Sequence, residues 1–173
     1  MKNEEKKRIV AILDDKLKNE FGVFLTGVEK VELGSLIIKY KCNPLKFTLN
    51  RQVIYVLINR SGLRGMTAYE ILESLKSSKE NAKPASVYRV LDYLTNIGLI
   101  TKIQSRSKFI VRRFQAEQLM SIFTVCSECG EIDEKTDNFC QLSIAHFIAG
   151  LGHQLNDNTV ELSVICKKCL VLK

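Results

Sequence analysis

From Thr48 to Gly98 the hydrophobic positions repeat at helical spacing in three successive blocks, and beyond Gly98 they recur at every second residue. The block TLNRQVIYVLINRSG puts Val53, Ile54, Leu57 and Ile58 on one side and stops at Gly62. TAYEILESLKSS opens with Thr67 and Glu70 at the spacing of a capping box and offers Ile71, Leu72 and Leu75 as its buried face. PASVYRVLDYLTNIG begins with Pro84 in its first turn and carries a core stripe of Val87, Val90, Leu91, Leu94 and Ile97. LITKI and FIVRRF then alternate on either side of a turn at 105–108, which predicts a hairpin. Three helices followed by a basic hairpin predict a winged helix-turn-helix, with the third helix in a major groove and the hairpin on phosphates or in the minor groove.

The flanks read differently. Residues 3–20 predict an amphipathic helix with Ile9, Ile12, Leu13 and Leu17 on one face. Residues 21–41, punctuated by Gly22, Gly27 and Gly34, fit either short strands or a helix with loops, and Asn43-Pro44 marks a boundary. After the hairpin, SIFTVC and EID predict strands, NFCQLSIAHFIAGLG an unusually apolar helix, and TVELSVIC a closing strand. So much apolar surface in a small unit points to a partner, most simply a second copy, unless the helix packs on its own sheet. The expected class is α+β: an extension over 1–44, a winged helix over 45–115 and a small α/β dimerisation unit over 116–173.

Charge sharpens this division. Residues 1–114 hold 22 Lys and Arg against 11 Asp and Glu, whereas residues 115–173 hold 4 against 8. A basic half joined to an acidic half suggests that only the first meets a polyanion, although a merely solvated basic face gives the same count. The outward residues of the third helix then gain meaning: Ser86, Tyr88, Arg89, Asp92, Tyr93 and Asn96. Arg89 suits guanine or phosphate, and Tyr88 a thymine methyl or phosphate. Arg106 and Lys108 in the hairpin suit phosphates. A solvated helix face with an aromatic at its edge is the plainer alternative. No apolar run reaches the roughly 20 residues of a membrane span or has the flanks of a secretory signal, so a cytoplasmic protein is expected.

In a reducing compartment, paired Cys-x-x-Cys motifs favour metal over disulfide. Cys126 and Cys129 form one pair, followed by a glycine, and Cys166 and Cys169 form the second. Four thiolates match a closed tetrahedral zinc site, with redox chemistry or an iron–sulfur cluster as alternatives. A closed site leaves no open position for catalysis, so an enzyme is not expected. Cys42 and Cys140 have no partner at ligand spacing and read as inert buried or half-buried thiols.

Together, KPASVYRVLDYLTNIGLI with its wing, VCSECG, the apolar helix and GHQLNDNTVELSVICKKC resemble the ferric uptake regulator family, especially its zinc uptake regulator branch. The similarity begins near Lys46, where FTLNR stands for the family's Leu-Thr-Pro-Gln-Arg. It implies a dimeric, cytoplasmic repressor of transcription, with a winged helix, a dimerisation domain and an AT-rich inverted repeat in double-stranded DNA as partner. It also implies one structural Zn2+ per chain on Cys126, Cys129, Cys166 and Cys169, and Arg51 near the DNA backbone.

The family carries a second, exchangeable metal site built mostly from histidines between its domains. Here those positions read Thr101, Val111 or Arg112, and Asp157, and only Glu134 matches. Imidazole is the usual ligand of a reversible zinc or iron site, and Glu134 with Asp157 alone would hold metal weakly. His146 and His153, the only histidines, read as structural groups. The expectation is a regulator that no longer senses metal, with residues 1–44 as a candidate for another input. A conventional zinc-responsive repressor with substituted ligands, and a monomeric winged-helix and zinc-ribbon general transcription factor, are the alternatives.

Overall fold

The computed structural model describes residues 3–41, 47–77, 81–113, 120–155 and 159–171, with backbone alone for 3–9 and 38–41. Cys42, the Asn43-Pro44 boundary, residues 114–119 and Asp157 lie outside the described residues.

Seven helices and six strands follow one another among the described residues: α1 (Asn3–Phe21), α2 (Gly27–Lys41), α3 (Leu49–Ser61), β1 (Met66–Thr67), α4 (Ala68–Lys76), α5 (Pro84–Asn96), β2 (Ile100–Ile103), β3 (Lys108–Val111), β4 (Ser121–Cys126), β5 (Ile132–Lys135), α6 (Asn138–Gly150), β6 (Thr159–Val164) and α7 (Lys167–Val171). The architecture is α+β. Helices α3, α4 and α5 stand over a three-stranded antiparallel sheet of order β1-β3-β2, the arrangement of a winged helix. A second sheet has order β5-β4-β6, with β5 antiparallel and β6 parallel to β4.

The expected helix stripes are buried, Leu57 and Ile97 only in part. Val53, Ile54, Ile58, Ile71, Leu91 and Leu94 are all essentially sealed from solvent in one core. The capping box at α4 forms reciprocally: Glu70 N donates to Thr67 Oγ1 at 3.1 Å, and Thr67 N donates to Glu70 Oε2 at 2.7 Å. Gly65, between the end of α3 and β1, has φ +62, and a Cβ there would meet Ile110 Cγ2 at 2.8 Å and the Phe109 carbonyl at 3.0 Å. Glycine is what lets this turn lie flat on β3.

Residues 27–41 form one helix, where short strands were an open reading. The signal is a second capping box, Thr26 and Glu29, in which Thr26 N donates to Glu29 Oε2 at 2.7 Å and Glu29 N to Thr26 Oγ1 at 3.3 Å. The α1–α2 pair packs into the same core as α3, through Leu17, Phe21, Leu33, Leu36 and Ile37. Ile12 departs from the expected buried face and is half exposed.

Polar contacts also fasten this extension. Arg60 of α3 reaches Glu29 through Nε at 2.7 Å and Nη2 at 3.1 Å, and it also donates to the Phe24 carbonyl. Tyr55 Oη donates to Glu32 at 2.8 Å. The Arg60 guanidinium is the main reason that the Glu29 carboxyl is held down to about 2 from its ordinary 4.5. A lowered folded pKa stabilises above the unfolded value, so this contribution is full above pH 4.5 and disappears as pH falls toward 2. Glu29→Gln should therefore cost about 1–2 kcal/mol near neutral pH, a figure discounted for the solvent around Arg60, and close to nothing at pH 2. Urea denaturation of both proteins at several pH values measures the difference.

Candidate metal centre and nucleic-acid interface

Both cysteine pairs are delivered at one end of the second sheet, by the central strand β4 and its parallel neighbour β6. Cys126 ends β4 and is buried, while Cys166 and Cys169 follow the parallel strand β6 across a turn into α7. The first pair closes through a tight turn in which Gly130 N donates to the Cys126 carbonyl at 3.0 Å, with Gly130 at φ +72. Cys166 N donates to Cys126 Sγ at 3.3 Å, and Cys129 Sγ lies 3.7 Å from Cys166 Sγ. All four sulfurs lie within 4.8 Å of one another. A tetrahedral ion with metal–sulfur bonds of about 2.3 Å sets its sulfurs roughly 3.8 Å apart, so the donor set fits zinc.

As four thiolates, the cysteines would call for such an ion. Backbone N–H groups of Cys129 and Cys166 pull the Cys126 thiol down to about 6, whereas the neighbouring Cys166 thiol helps push Cys169 up to about 12. Four sulfurs at this separation cannot all ionise without a cation between them. Cys129 and Cys169 line a groove of about 1020 Å3 shared with Arg64, Arg106 and Lys168, so the cluster is open to solvent on one side.

Glu134 on β5 is buried, 3% exposed, and its partners are protein groups. Ser121 Oγ donates to Glu134 Oε1 at 2.8 Å, and Arg113 N donates to Oε2 at 2.7 Å. Arg112 Nη2 donates to Ser121 Oγ at 2.9 Å. Thr101 is buried, and Asp133 pairs with Lys135 at 2.7 Å. Asp157 lies outside the described residues, where the four cysteines are the one group of three or more ligating side chains near enough to share an ion. His146 and His153 are exposed, not packed. Cys140, expected to be at least half-buried, is exposed beside the Asp137 cap of α6.

On α5, Ser86, Tyr88 and Arg89 all face solvent, while Val87, Val90, Leu91 and Leu94 lock the opposite face into the core. Tyr93 belongs to the buried side, not to the outer face. The Arg51 guanidinium sits 3.5 Å from the centre of its ring, so the phenol is covered by a cation from α3. Lys108 Nζ donates to the Arg64 carbonyl at 3.0 Å. Arg106 reaches the second sheet, where Nη2 donates to the carbonyls of Cys126 at 3.0 Å and Ser127 at 3.3 Å. Its charge suited DNA equally well in the sequence, and nothing there pointed to carbonyls about 20 residues away.

Residues 43–163 match the model of the ferric uptake regulator family. The zinc uptake regulation protein of Escherichia coli (strain K12) is 27% identical over 106 residues, 61% of this chain and 62% of that protein's length. The ferric uptake regulation protein of Helicobacter pylori (strain ATCC 700392 / 26695) is 25% identical over 138 residues, 79% of this chain and 90% of its own. Among solved structures, a zinc uptake regulator complexed with zinc and DNA superposes with a TM-score of 0.74 at 22% identity, over 85% of this chain and 98% of that one. The holo form of XcZur gives 0.69 at 25% identity, over 82% and 98%.

Proposed function

Because the chain belongs to the ferric uptake regulator family, whose members are regulators and not enzymes, we propose that it is a dimeric, sequence-specific DNA-binding repressor of transcription acting in the cytoplasm. Residues 45–115 form its DNA-binding domain and residues 116–173 its dimerisation domain. One Zn2+ per chain, on Cys126, Cys129, Cys166 and Cys169, is structural. The operator is an AT-rich inverted repeat, as the resemblance implies. The observation that carries this reading is the α5 surface: a helix rigidly seated in the core presents Ser86, Tyr88 and Arg89 together to solvent. Arg51 and Lys108 add positive charge for the backbone. The relatives named as zinc uptake regulators, one of them described with zinc and DNA, support the same reading.

The chain's DNA binding does not respond to a second metal. Glu134, the family-like carboxylate, already has its two oxygens taken by Ser121 and Arg113. A zinc ion there would share a carboxylate already engaged by two hydrogen bonds and would find no imidazole at the other family-like positions, Thr101, Val111 and Arg112.

The test is binding to a site selected from randomised duplex DNA, measured by fluorescence anisotropy. Arg89→Ala should weaken binding to the selected site by about 5- to 150-fold, the equivalent of about 1–3 kcal/mol, and relax one position of it. If Arg89→Ala and Tyr88→Ala both bind as the wild type does, the assignment of α5 as the reading helix is wrong.

A further inference from the structure

The hairpin β2–β3 is attached to the second sheet at both of its ends, and each attachment is a carboxylate receiving backbone N–H groups. At the turn, Gln104 N donates to Glu161 Oε1 at 2.6 Å, and Ser105 N and Oγ donate to Oε2 at 3.2 and 2.8 Å. Just beyond β3, Arg113 N donates to Glu134 Oε2 at 2.7 Å. Glu161 lies on β6 and Glu134 on β5, the two outer strands flanking β4. Arg106 and Arg112 add a guanidinium beside each attachment, on the Cys126 carbonyl and on Ser121 Oγ. Between the two ends runs a dry cluster of Ile103 and Ile110 from the hairpin with Phe123, Val125 and Ile132 from the second sheet.

We propose that this hairpin is a built-in joint that sets the orientation of the reading helix, and that Glu161, Glu134, Arg106 and Arg112 are positioning residues. A hairpin held only by its own sheet could swing and carry α5 with it. Here Leu99 and Ile100, which follow α5 directly, are buried in the first core, and Ile103 is buried in the shared cluster. Only six residues, 97–102, thus separate the reading helix from Ile103 in that cluster. Amide donors at a turn are the groups with no partner inside the hairpin, so a carboxylate that takes them holds the turn in place by charge-assisted hydrogen bonds. The orientation is set by the chain's own groups, and no ion is needed between the halves. Arg106 then serves DNA binding without touching DNA.

The functional half of this inference rests on the DNA-binding reading, and a sign separates it from simple electrostatics. Glu161→Gln and Glu134→Gln each remove a negative charge, which alone would leave binding to a polyanion unchanged or tighter. The joint requires the opposite for the selected site. With the full-length protein, the double variant should bind that site about 10-fold more weakly or worse, at unchanged dimer mass and zinc content. Binding to mixed-sequence DNA should be equal or slightly tighter.

Hydrogen exchange of the Gln104, Ser105 and Arg113 amides supplies a readout without DNA. They should be protected in the wild type, exposed in the variant, and unaffected by added zinc. Unprotected amides in the wild type, an operator affinity that stays equal or rises in the variant, or an Arg113 amide freed by zinc would each overturn the joint. Protected amides in a wild type with no preference for any DNA sequence would keep the joint and overturn the DNA-binding reading.

Discussion

Stripping zinc from the four-cysteine cluster should unfold the β5-β4-β6 half of the molecule and leave the helical half folded. The magnitudes decide this outcome. Structural zinc binding contributes on the order of 10–16 kcal/mol, whereas a small domain's whole stability is about 5–15 kcal/mol. The second sheet has little else to rely on. Its sealed apolar residues are few, Phe123 and Ile132 foremost, and α6 buries none of its own side chains in the single chain. The helical half has its own core, in which Tyr55, Leu91, Leu94 and Leu99 are sealed. Elemental analysis should find one zinc per chain before chelation and none after. Hydrogen exchange should then lose protection in β4 and β6 while α3 and α5 keep theirs. Cys129→Ser should act like chelation, and Cys140→Ser, exposed and far from any ligand role, should do nothing. A zinc-free chain with an intact second sheet would show that the cluster is not structural. A second tightly held zinc would revive the conventional zinc-responsive repressor.

The double variant Phe139→Glu/Leu142→Glu should be a folded monomer that binds the selected DNA site at least 100-fold more weakly. Phe139 and Leu142 are 78% and 72% exposed on α6, Phe147 is 64% exposed, and Leu162 on the edge strand β6 is 45% exposed. Burying each such side chain against a second copy contributes roughly 1.5–3 kcal/mol, and a carboxylate in that interface adds a desolvation cost. A monomer reads one half-site and loses the gain of a linked second contact, typically 10²–10⁴-fold. Since neither side chain is buried in the single chain, the fold and the zinc should survive, which separates lost association from lost folding. Sedimentation mass and anisotropy on the same samples check both. A variant that stays dimeric would place the interface elsewhere.

Much of this was written in the sequence wherever one rule acts alone. The stripes of α3, α4 and α5 and the alternation of β2 and β3 follow from burial on one face, and the four cysteines follow from ligand spacing. The Thr67 and Glu70 capping box was legible because an apolar stripe follows it. Its twin at Thr26 and Glu29 was masked by three glycines and a weak stripe, so α2 stayed ambiguous. The outer face of α5 was legible except for Tyr93, whose amphipathic side chain suits either side until Arg51 covers it. Arg106 and Glu161 were the least legible. A long cation on a hairpin suits phosphate and carbonyl alike, and a carboxylate in a strand carries no mark of the amides it will meet.

The parallel pairing of β4 with β6 has a kinetic side. Parallel neighbours cannot be joined by a tight turn, and here the chain runs through β5 and α6 before it returns. Cys166 N meets Cys126 Sγ across 40 positions. Closing a loop of that length comes before the β4–β6 contacts offset the entropy lost, so this half should fold later than the local helices of α3 to α5. The two cysteine pairs stand at the mouth of that loop. An ion captured by the first pair can recruit the second and turn a slow diffusive search into a tethered one, so zinc supply would govern how fast the protein matures as well as how stable it is.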